Sequence, residues 1–363
     1  MCKIHLILLA AFLAGRLVAS ASTISLTEAQ RVKLAQCVAS EPEAKKLFRQ
    51  LQRQADASLN HQGNPIAHIR TAGRLDTDPL KEQSRASLED MKKLHALGYA
   101  YAATTNRVYG AAARRIILSW AQVNQPMGSP IDETKLEPLL VAYDLTRPLY
   151  SPEDRTSIED WLRRMAGLEL QSVQSNSVTA MNNWNNHRLK VVGLIGFLLD
   201  DAKLIEEAVR GFKKQVGVNL YPDGSSFDFH QRDALHYHCY DLEPLLVLAI
   251  AARQNGIDLY SYQAANGGCL AKAVNFLVPY CNGTKTHAEW VHSKVELDRR
   301  RAVAGDKGFL PGSAFDPRGA REVFELASFF DDSYTALVLR QSDRGAVEYP
   351  GWQAVLNKVR RSD

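Results

Sequence analysis

The chain has 363 residues, a formal net charge of +4, and 45% hydrophobic and 23% charged residues. That length allows one large core or two modest ones. The mild charge, with no basic run interleaved with aromatics, excludes the footprint of a nucleic-acid binder.

Residues 1–21 read as a removable leader. Lys3 gives a short positive region, Leu6 to Ala14 is apolar, and Ala19-Ser20-Ala21 fits a small-residue cleavage site before Ser22. The apolar run is too short to span a bilayer, so no membrane partner is expected and the protein is read as secreted or periplasmic. Loss of Lys3 and Arg16, with no acid among residues 1–21, takes the charge from +4 to +2. Residues 22–363 read as a single domain, since no Pro/Gly/Ser linker divides them.

Helical punctuation follows in order. Thr27 with Gln30 forms a capping box opening a stretch to about Ser58. Periodic apolar segments lie near 85–104, 107–124 and 134–147. Ser151-Pro152-Glu153-Asp154 supplies an N-cap, a first-turn proline and first-turn acids before Trp161, Leu162 and Met165. Further periodic segments lie near 187–199, 202–217, 241–254, 259–277, 317–330 and 350–361, with Gly256 as a C-terminal cap. Pro244 cannot donate to the carbonyl of Tyr240, so a helix is expected either to start nearby, with Asp241 as N-cap, or to kink at Tyr240. Alternating strand patterns are scarce. The fold class read from this is all-α, an α/α toroid (an incomplete α/α barrel) of about ten or more helices. Polar connections near 60–84, 218–231 and 279–315 exceed ordinary turns and are expected to line or cover a cleft.

Outside the leader stand Cys37, Cys239, Cys269 and Cys281. A Cys269–Cys281 disulfide and four buried thiols are both open readings. Asn282-Gly283-Thr284 is a glycosylation sequon.

Chemistry concentrates in two stretches, Asn182-Asn183-Trp184-Asn185-Asn186-His187-Arg188 and Arg232-Asp233-Ala234-Leu235-His236-Tyr237-His238-Cys239-Tyr240. Both are poor in carboxylates. A glycosidase needs paired acids and a zinc hydrolase needs closely set His, Cys and Glu. Amides, imidazoles and phenols are suited instead to holding an anionic sugar polymer while a proton leaves carbon. Asn186, His187 and Arg232 are candidates for offsetting a substrate carboxylate. Tyr240 is the candidate for proton transfer, with Tyr237 and His238 as rivals. Asn185, Trp184, Arg188, His236, Tyr237 and His238 are candidate substrate contacts, Trp184 as a stacking platform. His236 and His238 diverge by about 200° on a helix, and no metal or redox cofactor is expected. His287, Trp290 and His292 are read as a loop at the cleft. Arg70, Arg74, Lys92, Lys93, Arg114 and Arg115 could bind substrate carboxylates and Tyr99, Tyr101 and Trp120 could stack sugars, but solvated surface charge and core packing are the default readings.

Asn-Asn-His at 185–187, and Ala-Leu-x-Tyr-His-x-Tyr at 234–240 followed by Leu242 and Pro244-Leu245, resemble the alginate-lyase superfamily of polysaccharide lyases. Tyr143-Asp144 and Pro222-Asp223-Gly224 support the resemblance, which covers roughly residues 85–255. It implies an α/α toroid that cleaves uronate polymers by β-elimination. It also implies that Asn186 and His187 attend the substrate carboxylate and that Tyr240 transfers protons. Two departures stand out. Arg188-Leu189-Lys190 replaces the Ser-Tyr-Trp usual in the alginate-specific branch, and Asp233 stands where that branch has Arg, with Arg232 one step earlier. Glucuronan or mixed uronates are therefore credible substrates beside alginate. Tyr240 would serve as acid and base when the C5 proton and the leaving oxygen share a face, and His187 as base when they do not. Two alternatives remain open: an α/α-barrel glycoside hydrolase using acids among Asp223, Asp228, Asp241 and Glu243, or a catalytically silent binder of anionic polysaccharide.

Overall fold

The computed structural model describes residues 23–173, 177–341 and 349–361; the expected leader at 1–21 lies outside the described residues. Helices dominate. The first two are α1 (Glu28–Ser40) and α2 (Pro42–Ala57). The predicted stretch to Ser58 is thus split, because Glu41 takes an extended φ of −96° with ψ of 119°, the conformation imposed on a residue before proline. The predicted capping box is present, Thr27 and Gln30 exchanging bonds at the start of α1.

Next come α3 (Pro79–Thr104), α4 (Arg107–Val123), the short α5 (Pro130–Glu133), α6 (Glu137–Thr146) and α7 (Pro152–Gln171). The Ser151 hydroxyl caps α7 as expected, accepting from Asp154 N. Then follow α8 (Asn183–Leu199), α9 (Ala202–Asn219), α10 (Phe227–Arg232) and α11 (Leu235–Gln254). The chain ends with α12 (Leu270–Cys281), α13 (Glu296–Val303), α14 (Arg321–Ala327), α15 (Thr335–Arg340) and α16 (Trp352–Arg361).

Packing arranges them as a two-layered ring. The inner course runs from α3 through α6, α8, α11 and α14 to α16, which returns onto α1 and α2 and so to α3. Outside it, α4 lies on α3, α7 and α9 lie on α8, and α12 lies on α11. An inner helix touches two ring neighbours and an outer partner, so it is buried nearly all round, as α8 and α11 are; outer helices such as α9 keep one wet face. Gly193 and Gly196 of α8 allow the closest approach, since a Cβ there would strike Leu248 on α11 and the backbone at Ile205 on α9. This is the α/α toroid that the sequence predicts.

Some boundaries differ from expectation. Helix α11 begins at Leu235 and carries Pro244 inside it, with Ala234 as N-cap, so Asp241 is an interior residue and not the cap. Packing on both sides holds the helix together through the one hydrogen bond the proline removes. Predicted 259–277 is instead a loop followed by α12. The four cysteines are free and buried, so no Cys269–Cys281 disulfide is made.

Candidate active site

A cleft of about 560 Å³ opens at one end of the ring, where α8, α11 and the α5–α6 junction meet two of the long connections. Residues 71–73 and Lys81 form one rim, and Leu297 and Arg301 of α13 form another. The expectation that connections 60–84 and 279–315 line a cleft is met, while 218–231 supplies no residue to this cleft. Among the described residues, the cleft is bordered by the cations Lys81, Arg85, Lys92, Lys135, Arg232 and Arg301 and by a single carboxylate, Glu89.

From α8 and α11 the cleft receives Asn183, Trp184, Tyr237 and Tyr240. Tyr240 is half-buried, and no hydrogen bond to its hydroxyl is made within the described protein. Its ring lies 4.6 Å from that of His187 and 5.8 Å from that of Tyr237. Burial, reinforced by Tyr237 and Glu243, raises its phenol well above the usual range, so it stays protonated. The Tyr237 hydroxyl accepts from Arg301 Nη1 at 3.0 Å.

His187 sits behind Tyr240, only 4% exposed. Its Nδ1 is 3.0 Å from the Thr134 hydroxyl, while Nε2 is buried without a partner. Burial first, then Lys190 and Lys135, holds its pKa well below the usual value, so the ring is neutral. Asn186 is also buried. Its Nδ2 donates to the Asp241 carbonyl at 2.9 Å and to Asp241 Oδ1 at 2.6 Å, leaving Oδ1 unpartnered. Because a backbone carbonyl only accepts, this orientation of the amide is fixed. Asn186 therefore joins α8 to α11 and does not donate into the cleft. Buried polar atoms without partners are uncommon, and those of His187 and Asn186 lie directly behind the cleft wall.

Arg232 reaches the cleft, but its guanidinium is paired with Asp298 and lies over the Tyr237 ring, 3.6 Å from the centroid. Asp233 points elsewhere. It adopts φ of 50°, its carboxylate accepts from His292 N at 2.8 Å, and its carbonyl accepts from Trp290 N at 2.7 Å. The 287–292 loop is thus pinned behind the wall, where Trp290 packs on Ala234 and Tyr237, rather than lining the cleft as expected.

Several proposed substrate contacts are placed away from the cleft. Arg188 is buried, donating to the Glu169 carbonyl at 3.0 Å and to Asn185 Oδ1 at 3.0 Å, and the Asn185 amide donates to Gln215 at 2.8 Å. His238 bridges the Ser226 hydroxyl at 2.8 Å and the Ala273 carbonyl at 3.0 Å, and burial lowers its pKa to about 4. It is therefore no rival to Tyr240. His236 lies on the outer side of the wall, its ring 5.7 Å from that of Trp290. The reason is angular: on a helix, neighbours in sequence point about 100° apart, so one motif is distributed over opposite faces. The cations Lys135, Arg301, Lys81 and Arg85 were missed in the sequence. Only the Arg299-Arg300-Arg301 run within a long connection gave any signal for them.

The carboxylates required for glycoside hydrolysis are not in the cleft. Asp228 and Asp241 are buried behind it, held by Asn183, Asn186 and Asn219, and burial raises the pKa of both. Asp223 caps its own turn through Ser225, and Glu243 lines a separate recess with Glu322.

An α/α toroid with a cation-rimmed cleft and a protonated tyrosine at its wall defines the structural class. Comparisons with known proteins place it more narrowly. The profile of the alginate lyase family matches residues 36–290, and the chain belongs to that family. An alginate lyase of Stenotrophomonas maltophilia is 28% identical over 209 residues, 51% of this chain and 27% of that protein. A polysaccharide lyase of the same organism is 28% identical over 146 residues, 39% and 42% of the two. The chain thus spans less than half the length of these curated relatives. Among solved structures, an alginate lyase from Bacteroides ovatus superposes with a TM-score of 0.66 at 16% identity, covering 93% of this chain and 98% of that one. Alginate lyase A1-III from Sphingomonas species A1 gives 0.56 at 20% identity, covering 83% and 95%. A tyrosine-to-phenylalanine variant of A1-III complexed with tetrasaccharide gives 0.55 at 19%, covering 73% and 80%.

Proposed function

We propose that this protein is a polysaccharide lyase that cleaves a 4-linked polyuronate by β-elimination, acting outside the cytoplasm. The observation that carries the reading is a protonated, unpartnered Tyr240 hydroxyl at the wall of a cleft bordered by six cations and one carboxylate, with a neutral His187 directly behind it. In the reaction the C5–H bond breaks and its electrons form the C4=C5 double bond. The C4–O4 bond then breaks, and O4 leaves with a proton. No other reactant is needed.

Protonated Tyr240 suits delivery of that proton to O4. His187, kept neutral with Nε2 unpartnered, suits proton acceptance, either from Tyr240 when one face of the sugar serves both steps or from C5 when the faces differ. Opposed protonation states in two adjacent groups are the usual mark of an acid–base division. The name borne by its relatives puts alginate first among substrates. The departure at 188–190 bears on this less than the sequence suggested, since Arg188 and Lys190 are buried and engaged, Lys190 with Glu137 at 2.6 Å. The departure at Arg232-Asp233 is at the cleft and leaves glucuronan open.

The test is to incubate the protein with polymannuronate, polyguluronate and polyglucuronate and follow ultraviolet absorbance of the unsaturated uronyl end. Absorbance with one of them is expected. No absorbance with any, from folded protein, overturns the reading; reducing ends without absorbance would mark a hydrolase.

A further inference from the structure

Resting on that reading, we propose that Lys135 is the cation that neutralises the substrate carboxylate, and that Arg232 positions the wall instead of binding the sugar. The cations at the cleft differ in what already engages them. Lys81 and Arg85 both meet Asp76, at 2.7 and 2.8 Å. Lys92 meets Glu89 at 2.7 Å. Arg232 is committed to Asp298, whose other oxygen accepts from Ser293 at 2.7 Å. Arg301 holds the Tyr237 hydroxyl. Lys135 alone among these six makes neither an ion pair nor a hydrogen bond with the described protein.

Its surroundings keep it that way. Asp132, the acid that attracts it, has Oδ1 taken by the Thr71 amide, the Thr71 hydroxyl and the Ala72 amide at 2.6, 2.6 and 3.0 Å, and Oδ2 by Ser129 at 2.7 Å. Burial contributes most to lowering the pKa of the Lys135 ammonium; Asp132 opposes it, and Lys190, Lys81 and Arg85 add repulsion. A half-buried ammonium without a bonded partner is stabilised in its charged form by an arriving carboxylate. Its position is also set for the chemistry. Thr134, the preceding residue, holds His187 Nδ1, so one turn of backbone carries both the support of His187 and the free cation. Withdrawing the carboxylate charge is what makes the C5 proton removable.

The experiment compares wild type with Lys135→Gln and Lys135→Arg on the polyuronate that wild type cleaves, and on the same polymer with its carboxylates methyl-esterified. Lys135→Gln should lower kcat/KM by about 100-fold on the free acid, the scale of one lost electrostatic donor. Lys135→Arg should recover most of the loss. On the ester, wild type and Lys135→Gln should differ by less than about threefold, because no charge remains to offset, a discrimination that a merely structural role would not produce. Thermal stability should not fall in Lys135→Gln, since no bond is removed. Equal activity of Lys135→Gln and wild type on the free acid overturns the proposal, as does a loss of equal size on the ester. Absence of product from wild type bears instead on the lyase reading itself.

Discussion

On the cleft side of α8 and α11, Trp184, Tyr237 and Tyr240 present an indole and two phenols beside cations. On the far side of the same helices, Asn186, Arg188, His238 and Asp241 are buried and bonded to one another or to neighbouring helices. The two regions come from the same pair of short sequences and differ in what completes them. The buried layer holds its own partners, and exclusion of water raises the pKa of acids such as Asp241. The wall keeps its hydroxyl and its ammonium uncommitted, which is where a ligand gains most. Residue type did not separate them; the angle around the helix axis did.

That contrast can be broken by substitution, and the largest effect belongs to the wall. Tyr240→Phe should reduce kcat by about 1,000-fold, within the range for loss of a proton-transfer group. Its melting temperature should stay close to that of wild type, because the hydroxyl has no partner within the described protein. A variant that is as active as wild type would remove Tyr240 from the chemistry; one that unfolds would move it into the buried layer.

The second effect belongs to the layer behind. Arg188→Met removes a buried guanidinium that donates to the Glu169 carbonyl and to Asn185 Oδ1, beside a Glu169 carboxyl that burial and Glu133 push up to about 10. Loss of those bonds should destabilise the fold by about 2 kcal/mol in denaturant unfolding, while the folded fraction keeps near-wild-type KM. A raised KM with unchanged stability would show instead that Arg188 contacts the sugar.

The third effect concerns Glu243, one turn beyond Tyr240, which burial and Glu322 raise to about 8 against the opposing pull of Lys190. Arg318, Arg321 and Glu322 border its recess, and Glu137 adds repulsion. The folded state then holds a proton that the unfolded chain releases near pH 4.5. Stability is therefore full below that value and falls as pH rises toward about 8. Glu243→Gln should flatten the decline by at most about 1.4 kcal/mol per pH unit, measured as unfolding free energy from pH 5 to 8. An unchanged slope would show that Glu243 is ionised in the fold.

Much of this was legible beforehand, for local reasons. The Thr27–Gln30 box and the Ser151-Pro152 start are short-range chemistry, and they appear where expected. Helical periodicity identified the outer helices α4, α7 and α9 well, since each has one wet face, but not α12, whose predicted start fell in the preceding loop. It identified the inner ones less well: α8 and α11 are apolar or satisfied all round, so their starts at Asn183 and Leu235 preceded the predicted ones. Tyr240 and Trp184 were found because the motif holding them is unusual in composition.

The sequence by itself determined the helical class, the two motif segments and the residue types able to bind an anionic sugar and move a proton. The tertiary structure decided which members of those motifs meet the cleft and which are sealed behind it. It also brought Lys135 and Arg301 to the rim from segments carrying no motif, and committed Arg232 to Asp298. Those outcomes depend on helix rotation and on ion-pair partners distant in sequence, neither of which spacing along a chain encodes.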